Sequence, residues 1–184
     1  MNTLSSSTLF QLLAMLKTGV PIFCRTSLMM VLWVLVWLSP YSAKALVVND
    51  VFPDFTSFEM EGSIPDLKGK VVLVDFFASW CSPCKASFPV MQELHKTYGS
   101  KGLIIVAINV DDKKEDMKRF LTKHPVDFAI VRDATKKFVS TVKIPSLPSS
   151  FLLDRTGRIR TIHQGFRGGE TRQKYIDEIE SLLR

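Results

Sequence analysis

The stretch Val71–Lys85, VVLVDFFASWCSPCK, constrains this chain more than any other. A near-continuous apolar run of β-branched and aromatic residues reads as a strand buried on both faces. It passes directly into Trp80-Cys81-Ser82-Pro83-Cys84-Lys85. A buried strand therefore delivers two cysteines to a strand-to-helix turn. With two residues between them, the thiols close a small disulfide ring and reopen with little backbone movement. The unpaired N–H groups and positive dipole end of the helix start favour the thiolate of the first cysteine. Cys81 is the expected attacking nucleophile, and Cys84, one helical turn further in, the expected resolving thiol.

Two other uses of a Cys-x-x-Cys pair fit poorly. Zinc takes about four ligands at tetrahedral spacing, yet the only other cysteine is Cys24, and His95, His124 and His163 are scattered. No resident metal is expected. A static staple gains little, because so short a loop removes little unfolded-state entropy and the chain is long enough to be held by burial.

These residues resemble the thioredoxin superfamily. Asp75 six positions before Cys81, the pair Phe76 and Phe77, Trp80, Pro83, Lys85, and Pro89 five after Cys84 stand where that superfamily has its active-site strand and first helix. Two longer stretches resemble its TlpA/ResA branch of thiol:disulfide oxidoreductases. They are Pro53-Asp54-Phe55 followed by Asp66-Leu67-Lys68-Gly69-Lys70, and Leu147-Pro148-Ser149-Ser150-Phe151-Leu152-Leu153-Asp154 with Gly157. The resemblance runs from about Val47 to the C-terminus. It implies an α/β thioredoxin fold: a central mixed sheet flanked by helices, with an N-terminal β-hairpin and a central βα insertion.

Residues 1–45 read as a separate segment. They contain no acidic residue, carry Lys17, Arg25 and Lys44, and hold an apolar run from Leu28 to Leu38. That run has the length of a signal-peptide core and falls short of the roughly 20 residues that span a bilayer. Ala43-Lys44-Ala45 supplies a small-x-small cleavage pattern. The reading is a cleaved signal peptide, with an uncleaved inner-membrane anchor as the alternative and Met15 as a second possible start. Residues 46–184 then form the thioredoxin-like domain, exported to the periplasm or another extracytoplasmic space. Removing the three basic residues halves the formal net charge of +6. No basic stripe with interleaved aromatics points to nucleic acid. An exported chain would keep only the close pair Cys81 and Cys84, which suits a redox catalyst in an oxidising compartment.

The rest of the domain alternates strands and helices. Phe55–Met60 and a segment near Ile64 read as a hairpin joined by Glu61-Gly62-Ser63. A helix from Ser82 places Phe88, Met91, Leu94 and Tyr98 on one face and stops at Gly99. Leu103–Val110 reads as a strand, and Asp112 with Glu115 as a capping box opening the next helix. Phe128–Val131 reads as a short strand, Thr135–Thr141 as a short helix, and Ser149–Leu153 with Arg158–Gln164 as a hairpin. A helix from Thr171 carries Tyr175, Ile176, Ile179, Leu182 and Leu183.

Asp75 lies mid-strand in an apolar run, where burial raises a carboxyl pKa. The resemblance implies that this acid relays protons to the buried cysteine. Two positions depart from related patterns: a thioredoxin lysine aligns with Ala107, and a glutamate of ResA-type proteins aligns with Ser87. The resemblance also implies a cis-proline loop at Pro148, with Pro145 as the rival, whose preceding residue, Leu147, hydrogen-bonds an extended substrate. Trp80 is expected to shield the sulfur and offer an apolar contact.

The expected function is a cofactor-free disulfide reductase acting on protein thiol/disulfide clients, a monomer recharged by a membrane thiol donor such as a DsbD-like reductase. A cytochrome c maturation client is a further option, although Ser146-Leu147-Pro148-Ser149-Ser150 departs from the loop of the dedicated members. The alternatives are a redoxin-type thiol peroxidase, which would need a hydroxyl where Ala78 stands, and a copper-handling protein.

Overall fold

The structure, a computed structural model, describes residues 45–184. The expected leader lies outside the described residues but for its last position. Among the described residues no helix is long and apolar enough to cross a membrane.

The apolar run forms β1 (Val71–Phe77), buried along its whole length. It is followed by α1 (Ser82–Tyr98), β2 (Leu103–Asn109), α2 (Lys114–Lys123), β3 (Ala129–Arg132) and α3 (Lys137–Val142), then β4 (Ser149–Leu153), β5 (Ile159–Gln164) and α4 (Gly169–Leu183). The sheet order is β3-β2-β1-β4-β5, with β1, β2 and β3 parallel and β4 and β5 antiparallel. This is the mixed sheet of a thioredoxin fold. The edge strand β3 comes from the expected central insertion, entered through α2.

Strand alternation divides the interior into two cores, because successive residues of a strand face opposite sides of the sheet. Leu73 and Phe77 face a core shared with Cys84, Phe88, Met91 and Tyr175. Val72, Val74 and Phe76 face the other, built on Phe52, Phe55, Phe138 and Phe151. Asp75 shares the alternation of Leu73 and Phe77, so its carboxyl enters the core that contains Cys84.

Two expected local features take other forms. The N-terminal hairpin is replaced by a 3-10 turn at Phe55–Ser57, whose N-cap Asp54 accepts the Thr56 N–H. Beyond it Glu61 pairs with Arg132 at the end of β3, exchanging both backbone hydrogen bonds at 3.0 and 2.8 Å. The chain thus bonds to an existing sheet edge instead of to itself. Gly62 is required there: a Cβ would stand 2.7 Å from the Ile130 carbonyl oxygen, and its φ is +127°. The capping box also does not form, since the N-cap of α2 is Lys113 and makes no side-chain cap. Asp112 points outward toward Lys136 instead. Finally, α1 ends at Tyr98 as expected, but the chain reverses at Gly102 (φ +106°) after a further 3-10 turn from Gly99.

Candidate active site

The two cysteines occupy the start of α1 and are joined by a disulfide, with Cα atoms 5.3 Å apart. Cys81 is the N-cap residue, and its Sγ accepts the Cys84 N–H at 3.2 Å. The first sulfur therefore receives a donor from a helix terminus, where a developing thiolate is stabilised by both the hydrogen bond and the dipole. Pro83 falls in the first turn, where a missing N–H costs nothing. Cys84 is fully buried and Cys81 retains 4% exposure.

The loop before the cysteines is tied down from β2. Asp111 accepts the Ser79 N–H with both carboxylate oxygens and the Ser79 hydroxyl with one, each at 3.1 Å. Asn109 donates to the same carboxylate at 2.8 Å. Beyond this anchor Trp80 stands 71% exposed beside buried Cys81. At that exposure Trp80 is not a core residue.

Asp75 is 1% exposed. Burial pushes its carboxyl up to about 7, and the hydrogen bond from Ser150 opposes that rise. Across the parallel pair it faces Ala107, which brings no charge, and across the antiparallel pair it faces Ser150. Ser150 Oγ donates to Asp75 Oδ1 at 2.6 Å and lies 2.7 Å from the Tyr175 hydroxyl of α4. Asp75 Oδ2 is buried and has no hydrogen-bond partner among the described residues. Ser87, one helical turn beyond Cys84, is buried and donates to the Cys84 carbonyl at 3.0 Å. It brings no ionisable group to the site.

The Leu147–Pro148 peptide is cis, and Pro148 is buried at the entry to β4. Its carbonyl accepts the Gly165 N–H at 2.7 Å. Leu147 precedes the strand, and neither its N–H nor its carbonyl is bonded within the described residues.

The sequence reading missed two kinds of residue. The capping-box pattern points to Asp112, but it is Asp111, just past the end of a buried strand, that faces inward. Sequence alone places Ser150 in a strand and Tyr175 on a helix face, with no role beyond packing. Their signal was a polar pair, Ser149-Ser150, opening an otherwise apolar strand opposite a mid-strand acid. His163 is engaged elsewhere, its Nε2 lying 2.7 Å from Glu178 Oε2. Among the described residues no group of three or more His, Cys, Asp or Glu is placed to hold a metal ion.

A disulfide at the helix start of a thioredoxin fold, with a buried acid on the strand that leads to it, defines a thiol:disulfide oxidoreductase. Comparison with known proteins narrows the class. The family model for Redoxin matches residues 47–179. A thiol-disulfide oxidoreductase ResA of Geobacillus thermodenitrificans is 30% identical over 139 residues, 74% of this chain and 80% of that protein. The ResA of Bacillus cereus is 32% identical over 130 residues, covering 69% of this chain and 75% of the relative. A Chlorobium tepidum structure described as a thiol:disulfide interchange protein DsbE superposes with a TM-score of 0.70 at 34% identity, covering 76% of this chain and all of that one. The chain belongs to the Redoxin family, as a TlpA/ResA-like thiol:disulfide oxidoreductase.

Proposed function

We propose that the chain is an exported disulfide reductase for extracytoplasmic proteins, in which Cys81 attacks, Cys84 resolves and Asp75 takes the proton. The observation that carries this reading is the buried Asp75 carboxyl, on the strand that delivers the cysteines and in the same core as Cys84. A group titrating near 7 matches the pH at which it would exchange protons with a thiol.

In the first step the Cys81 thiolate attacks one sulfur of a client disulfide, forming a mixed disulfide and expelling a client thiolate. The Cys84 thiol then gives its proton to Asp75 Oδ2 and attacks Cys81 Sγ. This closes the Cys81–Cys84 disulfide and releases the second client thiolate, so two electrons have passed to the client. A membrane dithiol donor of DsbD-like type reverses the exchange and recharges the pair. The client strand lies across the unbonded Leu147 backbone, beside Pro148, while its apolar residues rest on Trp80.

The Ser-Pro dipeptide between the cysteines resembles reducing members of the superfamily and favours this direction. Export rests on the composition of residues 1–45. The peroxidase alternative is the weaker one, since Ala78 is buried and offers no hydroxyl to a peroxide. Insulin-disulfide reduction by the pre-reduced protein tests the activity, and its survival in Cys81→Ser would overturn the assignment of nucleophile. Equilibration with glutathione tests the direction: a couple more oxidising than glutathione would make the chain an oxidant. N-terminal sequencing of protein from the exported fraction, expected to begin at Leu46, tests the leader.

A further inference from the structure

We infer that Ser150 and Tyr175 are positioning residues: together they set the proton affinity of Asp75 and direct its proton to Oδ2, the carboxyl oxygen that has no hydrogen-bond partner among the described residues. This rests on the reading of Asp75 as proton acceptor for Cys84. The inference stands on the order of donors in a buried chain. The Tyr175 hydroxyl lies 2.7 Å from Ser150 Oγ, which lies 2.6 Å from Asp75 Oδ1, with Tyr175, Ser150 and Asp75 each 1% exposed.

A phenol and a hydroxyl each carry one proton. Burial and the nearby Asp75 charge keep the Tyr175 phenol protonated, and its only hydrogen-bond partner among the described residues is Ser150. Tyr175 therefore donates to Ser150, and Ser150, already accepting, turns its own proton to Asp75 Oδ1. Two donors in series in a low-dielectric core polarise one another in favour of the carboxylate. Protonation on Oδ1 would reverse the chain and leave the Tyr175 proton buried with no acceptor. The proton consequently goes to Oδ2.

The other titratable groups around the chain are few. From β2, Ala107 contributes none. From β5, His163 pairs with Ser150 in register, packs its ring on Tyr175 at 4.8 Å and binds Glu178 of α4 through Nε2. From α1, Cys84 shares the core. His163 and Glu178 bind each other, and no hydrogen bond links either of them to Asp75, Ser150 or Tyr175.

The test titrates Asp75 in the oxidised full-length chain, labelled with 13C at the aspartate carboxyls and assigned with Asp75→Asn. Asp75 is expected to bind its proton about tenfold more tightly in Ser150→Ala, an upward move of about one pH unit. A smaller move in the same direction is expected in Tyr175→Phe, with return toward wild type in Ser150→Thr. His163→Gln should leave the titration in place. No shift, or a downward one, in a Ser150→Ala protein with native near-ultraviolet circular dichroism would overturn the inference. So would a His163→Gln shift as large as that of Ser150→Ala. The pH profile of mixed-disulfide resolution is read separately on the same variants. If the carboxyl titration moves and the kinetic profile does not, the hydroxyl chain stands and the catalytic reading of Asp75 falls.

Discussion

Asp111 holds Ser79 through three contacts of 3.1 Å, so that the loop leading into the cysteines is fastened to the end of the neighbouring strand. Both the backbone N–H and the hydroxyl of Ser79 lose their acceptor when this carboxylate is removed, and Asn109 loses one as well. Asp111→Ala should therefore destabilise the fold by about 1–3 kcal/mol. Urea denaturation of the oxidised proteins measures it. Asp111→Asn, which keeps one acceptor, should lose less, and equal losses in the two variants would show that the hydrogen bonds to Ser79 are not the cause.

Trp80 gives the opposite pattern. Its ring is 71% exposed, so removing it costs the fold almost nothing. Trp80→Ala should leave the urea midpoint within experimental scatter of wild type, as surface changes do. A client resting on the ring loses an aromatic anchor, which raises KM for a protein disulfide roughly tenfold while a small disulfide is reduced at the wild-type rate. Equal losses on both substrates would place Trp80 in the chemistry instead of in client contact.

The burial asymmetry of the two sulfurs predicts how each variant fails. Cys84 is wholly enclosed and Cys81 is not. Cys84→Ser should accumulate mixed disulfides with clients, visible as thiol-sensitive adducts on non-reducing gels, and Cys81→Ser should accumulate none. Adducts on Cys84 alone would reverse the assignment. The clients themselves become identifiable from the trapped species by mass spectrometry.

Much of this site was legible in the chain because it is written locally. The strand Val71–Phe77, the cysteine pair and Pro83 lie in consecutive positions, and each follows from backbone rules that operate over a few residues. The hairpin Ser149–Leu153 with Ile159–Gln164 was equally readable from its alternation and its Asp154–Gly157 turn. The failures are non-local. Nothing near Glu61 announces that its partner is Arg132, 71 positions away, and the hairpin expected there lost to an existing sheet edge. Ser150 and Tyr175 meet only because α4 packs on the same face of the sheet as the Asp75 carboxyl. Spacing along one segment carries no trace of such a meeting.

The proton-transfer reading predicts a rate effect with a defined pH dependence. Asp75→Asn leaves both thiols in place but removes the acceptor for the Cys84 proton. Resolution of a preformed mixed disulfide should slow by about a hundredfold, the usual scale of general-base help. In wild type the rate should rise as pH passes through about 7, where Asp75 gives up its proton. Stopped-flow measurement of the resolving step provides the profile, and identical profiles for wild type and Asp75→Asn would leave the acid with a purely structural role.

The same carboxyl makes folding stability depend on pH in a direction opposite to that of a paired acid. In the folded chain Asp75 keeps its proton up to about 7, against 3.8 for an ordinary aspartate. Between those values the folded state holds one more proton than the unfolded state, so the free energy of unfolding falls as pH rises across that window. Below it both states are protonated and the burial cost vanishes; above it both are ionised and the cost is complete. Asp75→Asn has no such titration and keeps a polar group that still accepts from Ser150. The variant should therefore be more stable than wild type above pH ~7, by on the order of a few kcal/mol, and the difference should shrink toward zero near pH ~4. Paired urea melts of the oxidised proteins across that range measure it. A stability gap that instead widens as pH falls would mean that the folded chain holds Asp75 ionised, with a compensating charge that the buried face of the sheet does not provide.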